Sequence, residues 1–289
     1  DRLVVENDSI SGIVLSAFGD YYNQQPFIEQ LVFLYYPDSA AALQAYKDGK
    51  VQGVSRITND VLSEALQQPD LALYTGRKPE LSLIMFNLKN NEKPYFQDKN
   101  VRRALYMGIN RQNLADKVLQ GQAILADGPI FPGTWAYYEG IVRVDYNSDQ
   151  AIQLLIEAGY TLPAEAGNVR TNEDGVTLSF TLAFPDTVLH TALAEAIKGQ
   201  WSQLGIDVTL EPLPYDILIQ ERLESRTFDA VLVDLNLSGS PDPDPYPFWD
   251  QNQITSGQNY SGWEDSYASE YLEDARTTVD QVERTRLYR

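Results

Sequence analysis

The chain has 289 residues, 43% of them apolar, and carries 41 acidic against 22 basic side chains for a formal net charge of −19. That length favours two lobes over a single core, and the absence of cysteine excludes disulfides, thiol nucleophiles, zinc–thiolate centres and iron–sulfur clusters. The acidic balance disfavours nucleic acid and anionic lipid as partners, and no apolar run approaches the ~20 residues of a membrane span.

In chain order, "EQLVFLYY" (29–36) reads as a buried strand. "DSAAALQAYKDG" (38–49) reads as a helix with Asp38 or Ser39 as N-cap and Gly49 as its stop. "VQGVSRI" (51–57) gives a short strand, Asn59 caps "DVLSEALQQ", and "DLALYTG" (70–76) gives another strand. The resulting βαβαβ order predicts an α/β layer. "ELSLIMFNL" (80–88) is a strand bounded by Pro79. "NVRRALYMGI" (100–109) places Val101, Ala104, Leu105 and Ile109 on one helical face, and "NRQNLADKVLQG" (110–121) continues as a second helix after a corner at Asn110.

Residues 122–147 are loop-rich. Ser148 is the expected cap of "SDQAIQLLIEAGY", with Gly159 just past its end. "GVTLSFTLAFP" (175–185) alternates apolar residues at period two. The helix at 187–205 is expected to bury Leu189, Leu193, Ile197, Trp201 and Leu204. Strand "IDVTLEPL", helix "DILIQERLES" and the continuous apolar strand "TFDAVLVDLNL" follow, and 266–289 reads as helical throughout.

Catalytic signals are sparse. His190, the only histidine, lies on the 187–205 helix without a nucleophile motif beside it, and reads as a helix-surface residue. No G-x-S-x-G, H-E-x-x-H, Walker A or G-x-G-x-x-G occurs. A carboxylate-pair glycoside hydrolase needs only two acids at a set separation, so it stays as the alternative function, beside a non-catalytic scaffold. Calcium is disfavoured at "DPDP", whose spacing is not that of an EF-hand loop. No cofactor and no metal site are expected.

The loop "SGSPDPDPYPFWD" (238–250) carries a local asymmetry. From Thr227 to Ala275 there are ten Asp or Glu and no Lys or Arg, with Tyr246, Phe248, Trp249, Tyr260, Trp263, Tyr267 and Tyr271 in the same window. Acids with aromatic faces suit a cation or an amine-bearing ligand; the bland reading is a solvated face over core aromatics. Each proline fixes φ, so the loop is pre-set at a strand end, where α/β proteins keep ligand contacts.

Several stretches, in family order over nearly the whole chain, resemble the extracellular solute-binding proteins of the peptide/nickel class: "LYYPDSAAALQAYKDGKVQGV", "FNLKNNEKPYFQDKNVRRALYMGINRQNLADKVLQGQA", "SDQAIQLLIEAGY", "LAEAIKGQWSQLGIDVTLE", "FDAVLVDLNLSGSPDPDPYPFW" and "NYSGW". The resemblance implies a two-lobed α/β fold of the type II periplasmic-binding-protein kind, here a partial first lobe (1–81) and most of the second (82–289), with "ELSLIMFN" a crossing strand. It implies a fragment lacking the N-terminal part and the C-terminal return strand, with a secretion or lipoprotein signal upstream of Asp1. The expected function is capture of an oligopeptide or other small solute and its delivery to the membrane permease of an ATP-driven importer, by an extracytoplasmic monomer.

By the resemblance, peptide-binding members place an Asp near the head of the acidic loop, where this chain has Gly239. That departure weakens the case for recognition of a peptide α-amino group. Strand ends and the resemblance together name the candidate ligand contacts. Asn87 binds ligand or caps its turn. Asn236, Ser238 and Gly239 offer backbone groups at the turn into the loop. Asp242, like Asp244, fixes the loop or touches ligand. Asn259, Tyr260 and Trp263 form a stacking wall, unless Trp263 is buried under the last helix; Trp135 poses the same choice. Arg102 and Arg103 read as structural residues paired with carboxylates.

Overall fold

The computed structural model describes residues 1–6, 8–76, 78–163, 167–237, 239 and 242–289. The chain forms two compact units, 1–76 and 77–289. The division falls a few residues ahead of the one read from sequence, because the strand beginning at Glu80 is laddered along its whole length to a partner in the second unit.

The first unit opens with an antiparallel sheet of β1 (Arg2–Glu6), β2 (Ser9–Ser16) and β3 (Gln30–Leu34), in that order. Asp8 turns the hairpin at φ 60°. Helices α1 (Ser39–Lys47) and α2 (Asn59–Leu66) follow. Asp38 caps α1 by accepting from Ala41 N at 2.7 Å. Leu43, Val61 and Ala65 form a small core between α1 and α2, and Lys47 pairs with Glu64 across them.

The expected βαβαβ alternation is therefore absent. Residues 51–57 and 70–76 form no strand, because each lacks a partner ladder and a strand is stable only when its backbone groups are paired. The run expected to be a buried strand is exposed along all of β3. At α2 the cap position falls on Thr58, not Asn59.

The second unit is built on a four-stranded sheet. After β4 (Glu80–Phe86) come a short turn of 3-10 helix (Pro94–Gln97) and α3 (Lys99–Met107), which Asp98 caps. The corner at Asn110 starts α4 (Arg111–Asn113), which continues as a widened π-type turn, Leu114–Val118. Arg111 pins the loop that follows, donating to Ala126 O, Asp127 Oδ1 and Val144 O. Helix α5 (Ser148–Glu157) is capped by Asn147 in place of the expected Ser148.

Then come β5 (Ser179–Pro185), α6 (Val188–Gln203) and β6 (Asp207–Leu213). Next are α7 (Tyr215–Ile217) with its π-type extension Leu218–Glu224, and β7 (Ala230–Asn236). The short helices α8 (Tyr246–Trp249) and α9 (Gln253–Ser256) follow. The C-terminal segment is two helices, α10 (Ser266–Thr277) and α11 (Gln281–Leu287), not one. The break has a local cause: Thr278 is extended, and Asp280 caps a new helix by accepting from Glu283 N at 2.8 Å.

Strand order is β4-β7-β5-β6, with β4 antiparallel to β7 and the other three parallel. Alternate residues of β7 serve two cores. Ala230 and Leu232 join Phe96, Leu105, Leu155, Phe180 and Trp201 on one face. Val231 and Val233 join Met85, Ala183, Leu218 and Leu223 on the other. Burial on both faces explains why β7 reads as a continuous apolar run.

Gly205 ends the α6 region at φ 81°, where a Cβ would press on Arg170, Leu162 and a carbonyl. Leu193, Ile197, Trp201 and Leu204 are buried as expected, but His190 takes the place of Leu189 at the start of the stripe. His190 is 9% exposed and Leu189 38%. Position 190 lies three residues before Leu193 and seven before Ile197, at the centre of the stripe that Trp201 completes, whereas 189 lies at its flank.

Candidate functional site

From β5 the chain passes through α6 to β6 on one side, then crosses to β7 on the other side of β5. The carboxyl ends of β5 and β7 therefore flank a topological switch point, where open α/β sheets place their ligands. Thr187 caps α6 there, accepting from His190 N at 3.2 Å, and its Oγ1 lies 2.8 Å from His190 Nδ1. His190 Nε2 lies 3.0 Å from Asp234 Oδ2. Ser82 Oγ of β4 donates to the other carboxylate oxygen. One carboxylate thus joins β4, β7 and the first turn of α6.

Burial pushes the Asp234 carboxyl upward, but the hydrogen bonds from His190 and Ser82, with the charges of His190 and Lys78, outweigh it and hold the group below its ordinary 3.8. A depressed folded value means stabilisation that is complete above the ordinary value and is lost as pH falls through the folded one. The stability gap between the wild type and Asp234→Asn, measured by urea unfolding, is therefore expected at pH 7 and should shrink below pH 3.8. A gap independent of pH would contradict this linkage.

Asn236 ends β7 opposite Glu80, and Leu237 N donates to Pro79 O at 2.8 Å, so the strand pair holds the entry to the acidic loop. Gly239 is exposed, and Ser238 lies outside the described residues. Asp242 and Asp244 both meet arginines of the C-terminal helices. Asp242 takes a two-pronged bond from Arg284, at 2.8 and 3.0 Å, and Asp244 lies 3.2 Å from Arg276 Nε. Asp244 also accepts from Tyr246 N. Arg284 lies over Trp135 at 5.1 Å, and Arg276 over Tyr246 at 4.2 Å. The cation that the acid–aromatic window suits is thus supplied by the chain itself, from just beyond that window.

The remaining expected contacts lie at the opposite end of the sheet. Asn87, past the end of β4, is buried; its amide donates to Arg226 O and Phe228 O at 3.0 Å each, and its Oδ1 accepts from Lys89 N. Asn259 is fully buried. It donates to Asp250 O and Trp263 O and accepts from Ser261 Oγ and Trp263 N, so it is the organising centre of "NYSGW". Tyr260 is half-buried beside Arg226, at 5.4 Å, and burial raises its phenol. Trp263 is half-buried.

A cleft of about 680 Å³ at this end is lined by Asn87, Arg222, Arg226, Asp229, Asn259 and Tyr260 among others. Several of its polar groups already have partners: Arg222 grips Glu211, Arg226 donates to Ile254 O and Gly257 O, and Asp229 takes bonds from Asn90 and Thr181 N. The eight expected contacts therefore do not converge. Asn236, Gly239 and Asp242 belong to the carboxyl end; Asn87, Asn259 and Tyr260 belong to the amino end, and seven residues of β7 separate the two.

Ser82, His190, Arg276 and Arg284 are not among the contacts expected from sequence. The legible signals are a Ser and an Asp each set inside an apolar strand run, and a histidine three residues after a helix cap. Arg102 is structural, but it donates to Phe96 O, with burial lowering its guanidinium, and not to a carboxylate; Arg103 is exposed.

The description "Bacterial extracellular solute-binding proteins, family 5 Middle" matches residues 4–257. The chain is 27% identical over 280 residues to the oligopeptide-binding protein AppA of Bacillus subtilis, covering 96% of this chain and 50% of that protein. The solved structure of that protein, in complex with a nonapeptide, superposes with a TM-score of 0.74 at 26% identity, covering 96% of this chain and 54% of that one. Similarity to di/tripeptide-binding protein 1 of Pseudomonas aeruginosa is 27% over 265 residues, 91% of this chain and 46% of that protein. NikA from Brucella suis, solved with Fe(III)-EDTA, shares the fold at a TM-score of 0.79 and 20% identity, covering 99% of this chain and 57% of that one.

The chain spans about half the length of the curated relatives it matches. Among the described residues no helix is long and apolar enough to cross a membrane. With a mixed α/β sheet, a polar switch point at its carboxyl edge and a family match over most of its length, the chain belongs to the bacterial extracellular solute-binding proteins, family 5.

Proposed function

We propose that this chain forms part of the substrate-binding component of an ATP-driven importer. It captures an oligopeptide or other small solute outside the cytoplasmic membrane and hands it to a membrane permease, with no bond made or broken. The family match over residues 4–257 carries this reading. The peptide-binding relatives favour peptides as the first solutes to test. The solute contacts proposed are those at the carboxyl edge of the sheet: Asn236, Gly239 and the Ser82–Asp234–His190 group. A monomer, free or lipid-anchored, completes the proposal.

The glycoside hydrolase alternative gains no support. The acid pair weighed for it, Asp242 and Asp244, is engaged by Arg284 and Arg276.

The test is thermal unfolding of the intact protein with an equimolar tripeptide mixture, followed by mass spectrometry of what is retained. A ligand at a hundred times its Kd adds about 2.7 kcal/mol, so a saturable rise in Tm with peptide recovered unchanged is expected. No rise with any peptide or metal chelate, or recovery of a cleaved solute, would refute the proposal.

A further inference from the structure

Asp242 and Asp244 of the acidic loop are already occupied, and the manner of their occupation assigns a role to the C-terminal helices. We propose that Arg284 is a positioning residue for solute binding: a guanidinium guest held in cis by Asp242, Trp135 and Tyr288, fixing the loop that runs on from Asn236 and Gly239. The proposal rests on the reading above that this loop edge contacts the solute.

The geometry is specific to a guanidinium. Arg284 Nη1 donates to Asp242 Oδ2 at 2.8 Å and Nη2 to Oδ1 at 3.0 Å, the parallel fork that arginine alone presents. Nη2 also donates to Tyr288 Oη at 2.9 Å. The Arg284 Cζ lies 5.1 Å from the Trp135 ring centroid and 5.6 Å from that of Tyr288, within cation–π range of both. Nε has no hydrogen-bond partner among the described residues, so the fork and the rings hold the group. The Arg284 side chain is 16% exposed against 42% for Asp242, so the cation is the more buried partner.

The arrangement is repeated one helix earlier. Arg276 of α10 meets Asp244 and lies over Tyr246. Two acids of one loop are thus matched by two arginines of consecutive helices, each against an aromatic ring. Through Trp135 the same guest also reaches the loop after α4, and Arg289 extends this contact over Tyr138, at 4.8 Å. Pro243 and Pro245, both buried, lower the entropy lost when the loop is held. Asp242 and Asp244 therefore act on the solute at one remove, by holding the neighbouring backbone.

The test compares Arg284→Ala and Arg284→Lys with the wild type in the intact protein, using an equimolar tripeptide mixture as probe. Arg284→Ala is expected to weaken capture at least about tenfold and to speed amide hydrogen exchange across 242–250. Guanidinium chloride at low millimolar concentration restores both and ammonium chloride restores neither. Arg284→Lys falls between, because an ammonium presents no fork.

Weakened capture without guanidinium rescue, in a variant with native circular dichroism, makes Arg284 a general prop and overturns the proposal. Unchanged capture beside a freely exchanging loop overturns it as well. A wild-type protein that captures no tripeptide refutes the peptide reading and the positioning role with it; guanidinium-specific protection of the loop in Arg284→Ala would separate that failure from an error in the guest assignment.

Discussion

Replacing Trp201 by alanine is expected to lower the stability of the second unit by about 3–5 kcal/mol. Trp201 is fully buried and lies among Phe86 and Phe180, at ring distances of 6.3 and 5.4 Å. Its indole donates to Leu105 O at 2.9 Å, so one side chain ties α6 to the sheet and to α3. Truncation removes the largest buried apolar side chain, opens a cavity that three elements line, and leaves a buried carbonyl without its donor. For a unit of this size the loss corresponds to roughly 10 °C in Tm. Calorimetry of the intact protein checks it: a shift of only a degree or two would mean that the core around α6 collapses onto the gap, or that the packing described here is wrong. Trp201→Phe, which keeps most of the ring surface and loses only the indole donor, should recover more than half of the loss.

Asn259→Ala is expected to cost about 2–4 kcal/mol, because a buried polar group stripped of its partner loses about 1–3 kcal/mol and this amide serves four partners. It donates to Asp250 O at 3.1 Å and Trp263 O at 2.9 Å, and accepts from Ser261 Oγ and Trp263 N. The measurement that discriminates is urea unfolding without any solute. Lost stability in the unliganded protein marks Asn259 as the pin of its loop. A variant with wild-type stability and impaired solute capture would instead return Asn259 to the list of ligand contacts. Asn87 is the parallel case: both of its amide hydrogens already bond the 226–228 backbone.

These two residues show how a sequence reading of a binding site goes astray. Asparagines at strand ends are polar groups in the right places for ligands, and they are equally the side chains that satisfy loop backbone. Choosing between the two requires knowing which carbonyls lie within reach. For Asn259 those carbonyls belong to Asp250 and Trp263, brought close by the fold of the loop that holds all three. The histidine was misplaced for a related reason. Leu193, Ile197, Trp201 and Leu204 fix the stripe, but the periodicity leaves open whether Leu189 or His190 begins it, and β7, which carries Asp234, settles it.

Much was determined locally. The apolar alternation of β5, helix α6 between its Thr187 cap and the Gly205 stop, and the continuous apolar run of β7 follow from side-chain periodicity and from caps and stops within the same segment, and the second unit contains all three. The family was legible as well, because it resides in short motifs in a fixed order. What only the tertiary structure decided was the meaning of charge. Ten acids without a local base look like a site awaiting a cation, yet Arg276 and Arg284 lie on helices whose path back to the loop no local pattern encodes. Electrostatic pairing depends on distance in space, and the helices α8, α9 and α10 intervene between residues 242 and 284; periodicity records which face of a segment is buried, but not which distant segment arrives to meet it.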